Sequence, residues 1–154
     1  MSDPGGRAVF CYDGSPGARY ALEHAADLCQ ARSGWAVCVW QSPVVLFGEM
    51  DAGVWDMEDR DRFEQLARER SADVAREGAG ILSTVGISAE PAAPVAVGSA
   101  WRAILHFADD HDAHLIVAGT RGRSTVASLV LGSVSHGLAN HAHRPLLIIP
   151  APAE

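Results

Sequence analysis

Short apolar runs that alternate with helical patterns are the feature of this sequence that most restricts its fold. Runs at residues 7–12, 35–41, 94–97, 114–118 and 146–149 have the length and composition of buried strands. Between them, apolar residues recur at three- and four-residue spacing, which predicts amphipathic helices. Such alternation with short connections is typical of a parallel sheet with right-handed crossovers and helices on both faces. The sequence therefore predicts a doubly wound, Rossmann-like α/β fold with five strands and four helices.

The expected helices begin and end at recognisable residues. Ser15 can cap the first helix, Pro16 suits its first turn, and Gly34 is expected to end it. The apolar face of this helix is predicted to consist of Ala18, Ala21, Leu22, Ala25, Leu28 and Cys29. An irregular stretch over residues 42–57 precedes the second helix, whose first turn is expected to be acidic and solvated. The predicted buried face of this second helix consists of Phe63, Leu66, Ala67, Val74, Ala75, Leu82 and Val85. The third helix has Ser99 as its cap and Trp101, Ile104, Leu105 and Ala108 on its face, and the fourth carries Leu129, Val134 and Leu138.

Length and charge restrict the organisation and the partners of the chain. The 154 residues suit one domain, expected to span residues 1–154 with a core over about residues 6–150. The net charge of -7 argues against nucleic-acid binding, because a phosphate backbone needs clustered Lys and Arg. No apolar stretch approaches the roughly 18 residues of a membrane span, and residues 1–7 lack the apolar segment of a signal peptide. We therefore expect a cytoplasmic protein that binds neither nucleic acid nor membranes.

Cysteine, histidine and tryptophan give weaker signals. The three cysteines lack metal-type spacing and lie among apolar neighbours, which predicts buried free thiols at Cys11, Cys29 and Cys38. Five of the seven histidines fall into two groups. His111 and His114 lack an evident third ligand, and the second group lacks nearby carboxylates, so no metal site is predicted from the protein alone; its members are His136, His141 and His143. The tryptophans are better explained as core or rim residues than as a base-stacking surface; they are Trp35, Trp40, Trp55 and Trp101.

A glycine-rich segment directly follows the fourth predicted strand. Gly119, Gly122 and Gly132 are separated by two and nine residues, and Ser133 follows the last of them. Glycine lets backbone amides approach a polyphosphate because no Cβ intervenes, and an adjoining helix N-terminus adds a favourable partial charge. Ligands of such sheets bind at the carboxyl ends of strands, where the strand order reverses direction. We therefore expect an anion site here, opposite Asp13 at the end of the first strand.

Three segments of the chain resemble the universal stress protein family. They are the spacing G-x2-G-x9-G-S over residues 119–133, the opening AVFCYDGSPGA and the closing RPLLIIP. Every position of the glycine spacing is retained, and in that family the spacing occurs in members that bind ATP. The resemblance covers nearly the whole chain. It implies the strand order 3-2-1-4-5 and ATP as the ligand, with Mg²⁺ or Mn²⁺ carried on the phosphates.

The resemblance also implies roles for individual residues. The phosphates and the ribose would be contacted by Gly119, Arg121, Gly122, Gly132, Ser133 and Val134. Asp13 would face the ribose or a phosphate-bound divalent cation, and the backbone of Val39 would meet the adenine edge. Cys11 and Ala118 would line the pocket less specifically. The loop departs mildly from common family forms, since Arg121 and Arg123 add positive charge that suits a triphosphate. Arg123 is equally well explained as a solvated surface residue.

The leading functional hypothesis is a nucleotide-responsive regulatory module of the stress response. No nucleophile with an adjacent base is evident, and the Walker signature G-x4-G-K-[ST] is absent, so no catalytic residue is assigned. The alternative is a slow ATPase in which Asp13 orients a metal ion or a water. A nucleotide-free structural dimer conflicts with the retained glycines. An ATP pyrophosphatase usually carries an S-G-G-x-D-S loop after strand one, where this chain has D-G-S-P. ATP, AMP and cyclic AMP are not distinguished by the sequence.

The last predicted strand, residues 146–149, is expected to mediate a homodimer. In the strand order that the resemblance implies, this strand lies at a sheet edge, and all four of its residues are apolar. An open edge with unpaired backbone groups favours association, and a twofold axis would let two copies pair antiparallel. The alternative is a monomer in which residues 151–154 or the neighbouring helix cover the edge.

Overall fold

The computed structural model describes residues 5–42, 56–120 and 131–152. Its strands are β1 Arg7–Cys11, β2 Ser33–Val37, β3 Trp40–Gln41, β4 Ser88–Ala92, β5 Val95–Ala96, β6 Leu115–Gly119 and β7 Leu146–Ile149. Its helices are α1 Pro16–Leu28, α2 Met57–Thr84, α3 Ala100–Asp110 and α4 Ser133–His141. Within these residues, helices separate the strands except at β2–β3 and β4–β5, where two strands follow each other.

Five of the strands form one parallel sheet in the order β4-β2-β1-β6-β7. Numbered among themselves, these five strands follow the order 3-2-1-4-5, so the predicted doubly wound topology is confirmed. Strands β3 and β5 pair with each other in a second, two-stranded parallel sheet. Strand β7 forms one edge of the main sheet, and strand β4 forms the other.

The third strand of the main sheet was predicted in the wrong place. The prediction was residues 94–97, whereas the edge strand is β4 at Ser88–Ala92, and Val95–Ala96 belongs to the small sheet. Strand β4 lacks an apolar run because it pairs on one side only, and three of its five residues are exposed. Similarly, the predicted second strand over residues 35–41 is divided into β2 and β3.

The first connection also differs from its prediction. Helix α1 ends at Leu28, and Gly34 lies inside β2 rather than at the end of the helix. The guanidinium of Arg32 donates hydrogen bonds to the carbonyl oxygens of Ala26, Cys29 and Ala31, which satisfies backbone acceptors after the last helical turn. The chain can therefore turn back into β2 directly after the helix.

Each face of the main sheet is covered by two helices. Ala8 and Phe10 of β1 belong to the core beneath α1 and α2, whereas Val9 and Cys11 belong to the core beneath α3 and α4. This alternation follows from the two-residue period of a strand and explains why β1 is apolar on both faces. Leu28, predicted on the buried face of α1, is 56% exposed.

Helix α2 is buried only along its carboxyl-terminal half. Its buried residues are Ser71, Ala75, Gly78, Ile81 and Leu82. Phe63 and Leu66, predicted on the buried face, are 40% and 55% exposed because this part of the helix extends beyond the sheet core. The first turn is capped by Asp56, whose side chain accepts a hydrogen bond from the amide of Asp59 at 2.9 Å. The predicted acidic helix start is therefore confirmed.

Candidate functional site

The predicted ligand site lies at the carboxyl edge of the main sheet, between β1 and β6. From β1 the chain passes through α1 to β2 on one side, while β6 pairs with β1 on the other side. The strand order therefore reverses direction between these two strands. Such a reversal opens a crevice beyond the strand ends, which is where ligands of this fold class bind.

The loop after β1 holds Asp13 at this crevice. The carboxylate Oδ1 of Asp13 accepts a hydrogen bond from the amide of Ser15 at 2.9 Å. Ser15 caps α1, because its hydroxyl accepts from the amide of Ala18 at 3.2 Å. Gly14 has a φ of 84°, a left-handed conformation that favours glycine. The loop therefore has one defined shape, with the Asp13 side chain fixed next to the start of α1.

The end of β6 and the start of α4 are joined by direct hydrogen bonds. The carbonyl oxygen of Thr120 accepts from the amide of Gly132 at 2.6 Å and from the hydroxyl of Ser135 at 2.8 Å. Thr120 and Ser135 were not among the residues predicted for the site. The only available signal was the position of Ser135, two residues after the G-S pair, on the first turn of the expected helix.

The amino terminus of α4 points its first amides toward this region without a side-chain cap. Gly132 is the N-cap residue and makes no side-chain cap bond, and the first intrahelical bond runs from the amide of His136 to the carbonyl of Gly132 at 2.9 Å. The amides of Ser133 and Val134 precede that bond, so the helix itself offers them no acceptor. Together with the helix dipole they form a surface suited to an anion.

The apolar residues predicted for the pocket share one cluster. Cys11 and Ala118 are buried, and Val39 and Val134 pack half-buried against the same cluster beneath α3 and α4. The neighbours of Val39 are fixed, because the amide of Cys38 donates to Ala92 and the amide of Trp40 donates to Pro94. The structure thus brings these four residues to the side of the sheet that α3 and α4 cover.

Gly119 lies where β6 passes close to the first turn of α1. An ideal Cβ at Gly119 would lie 3.0 Å from the carbonyl oxygen of Gly17, tighter than an ordinary van der Waals contact. The glycine therefore serves helix packing as well as the predicted site.

Of the other predicted site residues, Arg121 and Gly122 lie outside the described residues, as do Arg123, Leu129 and Trp55.

The Cys11 thiol is unsuited to covalent chemistry. Burial, together with the nearby Asp13 carboxylate, raises the pKa of Cys11 to about 12. The thiol is therefore protonated at neutral pH, and only a thiolate is a strong nucleophile.

Cys38 is buried as predicted, whereas Cys29 is half-buried rather than buried, because it follows the last turn of α1.

Residues 5–42, 56–120 and 131–152 contain no group of three or more His, Cys, Asp or Glu side chains placed to hold a metal ion. Trp35 and Trp40 are buried, in agreement with their prediction as core residues, and Trp101 stacks on His141 with ring centroids 4.3 Å apart. In this part of the chain no helix combines the length and apolar composition needed to cross a membrane.

Solved structures with the same architecture include proteins crystallised with nucleotides. The structure of the protein MJ0577 has a TM-score of 0.78 and 18% identity, over 97% of this chain and 99% of that one. A universal stress protein in complex with cAMP has a TM-score of 0.57 and 20% identity, over 94% and 96% of the two chains. The universal stress protein of Archaeoglobus fulgidus in complex with dAMP has the same score and identity, over 93% and 96%. At these identities the likeness shows the fold.

Sequence comparison extends the likeness over nearly the whole chain. Universal stress protein MJ0531 of Methanocaldococcus jannaschii is 24% identical over 147 residues, which are 95% of this chain and 82% of that protein. A model of the universal stress protein family matches residues 6–150. This match includes every strand and helix described above, so the chain belongs to the universal stress protein family.

Proposed function

We propose that the chain binds an adenine nucleotide, with ATP as the expected ligand, in the crevice between the ends of β1 and β6. The observation that carries the proposal is that the end of β6 contacts both the first turn of α1, which follows the Asp13 loop, and the uncapped amino terminus of α4. In this proposal Asp13 meets hydroxyls or a cation, and the first amides of α4 meet phosphate. This pairing suits a nucleotide, which carries both kinds of group.

The phosphates would lie at the amino terminus of α4. The amides of Ser133 and Val134 would donate to them, and the exposed Ser133 can add its hydroxyl. The amide of Gly132 already donates to Thr120, so the contribution of Gly132 is the missing side chain, which leaves room for the phosphate. Arg121 and Gly122 would complete the phosphate contacts from the segment between β6 and α4.

The nucleoside would occupy the side of the crevice nearer β1 and β2. Cys11, Ala118 and Val39 supply apolar surface there, and Val39 can present its backbone to the adenine edge. Asp13 would contact the ribose or a Mg²⁺ or Mn²⁺ ion carried on the phosphates, since carboxylate oxygens suit both. The complexes of related proteins with cAMP and dAMP support an adenine nucleotide as the class of ligand.

The proposed biological role is regulatory rather than metabolic. Nucleotide occupancy would change the surface around the crevice, and protein partners in a stress response would respond to that change. The protonated thiol of Cys11 supports a binding site without covalent catalysis. Slow hydrolysis of bound ATP is the competing activity, and phosphate release measured in a single turnover separates the two.

The direct experiment is to identify the nucleotide that copurifies with the protein. Mass spectrometry of the supernatant after heat denaturation should find an adenine nucleotide in near-stoichiometric amount. Calorimetric titration of the nucleotide-free protein with ATP, AMP and cyclic AMP then ranks the ligands. A protein that copurifies with no nucleotide and binds none of the three would contradict the proposal.

Replacing Asp13 with alanine is expected to weaken ATP binding about tenfold or more, because a hydrogen bond to a charged group contributes roughly 1.5–3 kcal/mol. Calorimetry measures the affinity, and thermal unfolding measures the cost of losing the bond to the Ser15 amide. The matched control is Asp27→Ala, at an exposed aspartate near the far end of α1. Normal ATP affinity with a lowered melting temperature would show that Asp13 only stabilises the loop.

A second part of the proposal is a homodimer through β7. This strand is a sheet edge, and Leu146, Leu147 and Ile148 remain half-buried rather than buried. Antiparallel pairing of two β7 strands about a twofold axis would satisfy their edge groups. Light scattering should give twice the mass of 16.3 kDa. A monomeric mass at all concentrations, with and without ATP, would rule out the dimer.

A further inference from the structure

Three residues from three different elements meet beside the Asp13 loop, and we call them the Tyr12 cluster: Tyr12, Arg19 and Glu77. The hydroxyl of Tyr12 donates to Oε1 of Glu77 at 2.6 Å, and Nη2 of Arg19 donates to the same oxygen at 2.6 Å. Tyr12 follows β1 and is only 2% exposed, Arg19 lies on α1, and Glu77 lies on α2. The cluster therefore links both helices of this face to the residue that precedes Asp13.

The ring of Tyr12 is also fixed against α2 by shape. An ideal Cβ at Gly78 would lie 2.9 Å from Cδ1 of Tyr12, so the ring lies directly on the helix backbone. On the other side of Asp13, an ideal Cβ at Gly14 would lie 3.8 Å from a methyl carbon of Val74. Helix α2 thus borders both residues that flank Asp13 in the chain.

This arrangement makes the placement of Asp13 depend on α2. The amide of Tyr12 donates to the carbonyl of Val37 at 2.9 Å, which ties its backbone to the sheet, while its side chain is tied to α2. One planar peptide joins Tyr12 to Asp13, so a backbone displacement that accompanies a shift of the Tyr12 ring is passed on to Asp13. We infer that the Tyr12 cluster positions Asp13 and that helix α2 thereby sets the affinity of the nucleotide site. This inference rests on the proposed function.

The chemistry of the cluster keeps this link intact near neutral pH. Burial and the Glu77 carboxylate raise the pKa of Tyr12 to about 12, so its hydroxyl remains a donor. Tyr12→Phe removes that donor, so the ring is held only by its contact with Gly78 and can shift. Glu77 retains its bond to Arg19, so the substitution leaves no carboxylate without a partner. The variant is therefore expected to fold.

The test is calorimetric titration of ATP into variants of the full chain. Tyr12→Phe is expected to weaken binding about three- to tenfold. The hydrogen bond that it removes, from the Tyr12 hydroxyl to Glu77, sets the upper limit of this effect. Gly78→Ala displaces the ring and should weaken binding by at least as much. Gly80→Ala is the matched control on the same helix, because an ideal Cβ there has nothing within 4 Å. Its affinity should stay within about twofold of the unsubstituted protein.

A double-mutant cycle separates positioning from general stability. If the Tyr12 cluster acts through Asp13, Tyr12→Phe should cost almost no affinity in an Asp13→Ala background. Equal losses in both backgrounds, or unchanged affinity in Tyr12→Phe and Gly78→Ala, would overturn the inference while the nucleotide site stands. If the unsubstituted protein binds no nucleotide, the proposed function fails and this inference fails with it.

Discussion

Gly34→Ala is expected to lower the free energy of unfolding by about 3 kcal/mol or more, at the upper end of the cost of overpacking. Gly34 is buried in β2 and pairs with Ala8 of β1, in the middle of the main sheet. An ideal Cβ at this position would overlap the backbone carbonyl of Ala8. A backbone atom in a central strand cannot rotate away as a side chain can, so the two strands would have to separate locally.

Chemical denaturation of Gly34→Ala and of Gly80→Ala compares the free energy of unfolding for the same substitution at two sites. Gly80 lies within α2, where an added Cβ meets nothing within 4 Å. Alanine there is expected to stabilise the protein by roughly 0.5–1 kcal/mol, since it restricts the unfolded chain and suits a helix. Unfolding free energies that agree within about 0.5 kcal/mol would show that β1 and β2 are not packed as described.

Gly132→Val is expected to reduce ATP affinity about a hundredfold or more. Each hydrogen bond to a charged phosphate contributes roughly 1.5–3 kcal/mol, and a valine side chain at the N-cap would obstruct the approach to at least two amides. Gly132 has φ -70° and ψ 171°, an extended conformation that valine adopts readily. The fold should therefore survive, at the cost of about 1 kcal/mol for a poorer N-cap residue.

Calorimetry with ATP and thermal unfolding together decide this prediction. The control is Gly80→Val, a glycine-to-valine change on the exposed surface of α2 that should retain ATP affinity. Gly122→Val, in the segment between β6 and α4, is expected to abolish binding in the same way. A folded Gly132→Val protein with unchanged affinity would place the phosphates elsewhere.

Most of the fold could be predicted because buried parallel strands are apolar on both faces. Strand β7 was predicted with its observed bounds, and β1 and β6 within one residue at each end. Strand β4 could not be predicted, because an edge strand with three exposed residues has no apolar pattern to detect. The exposed half of α2 was likewise mistaken for a buried face, because spacing shows which residues share a face and not whether anything covers it.

By itself, the sequence determined the fold class, because apolar periodicity is a local pattern. The glycine spacing indicated an anion site, and the individual residues expected to meet a nucleotide came from the resemblance to the universal stress protein family. Only the tertiary structure decided how these residues are held. Thr120 meets Ser135 across 15 residues, and Tyr12 meets Glu77 across 65. Hydrogen bonds between such distant residues depend on how strands and helices pack against one another, and no local pattern of residues specifies that packing.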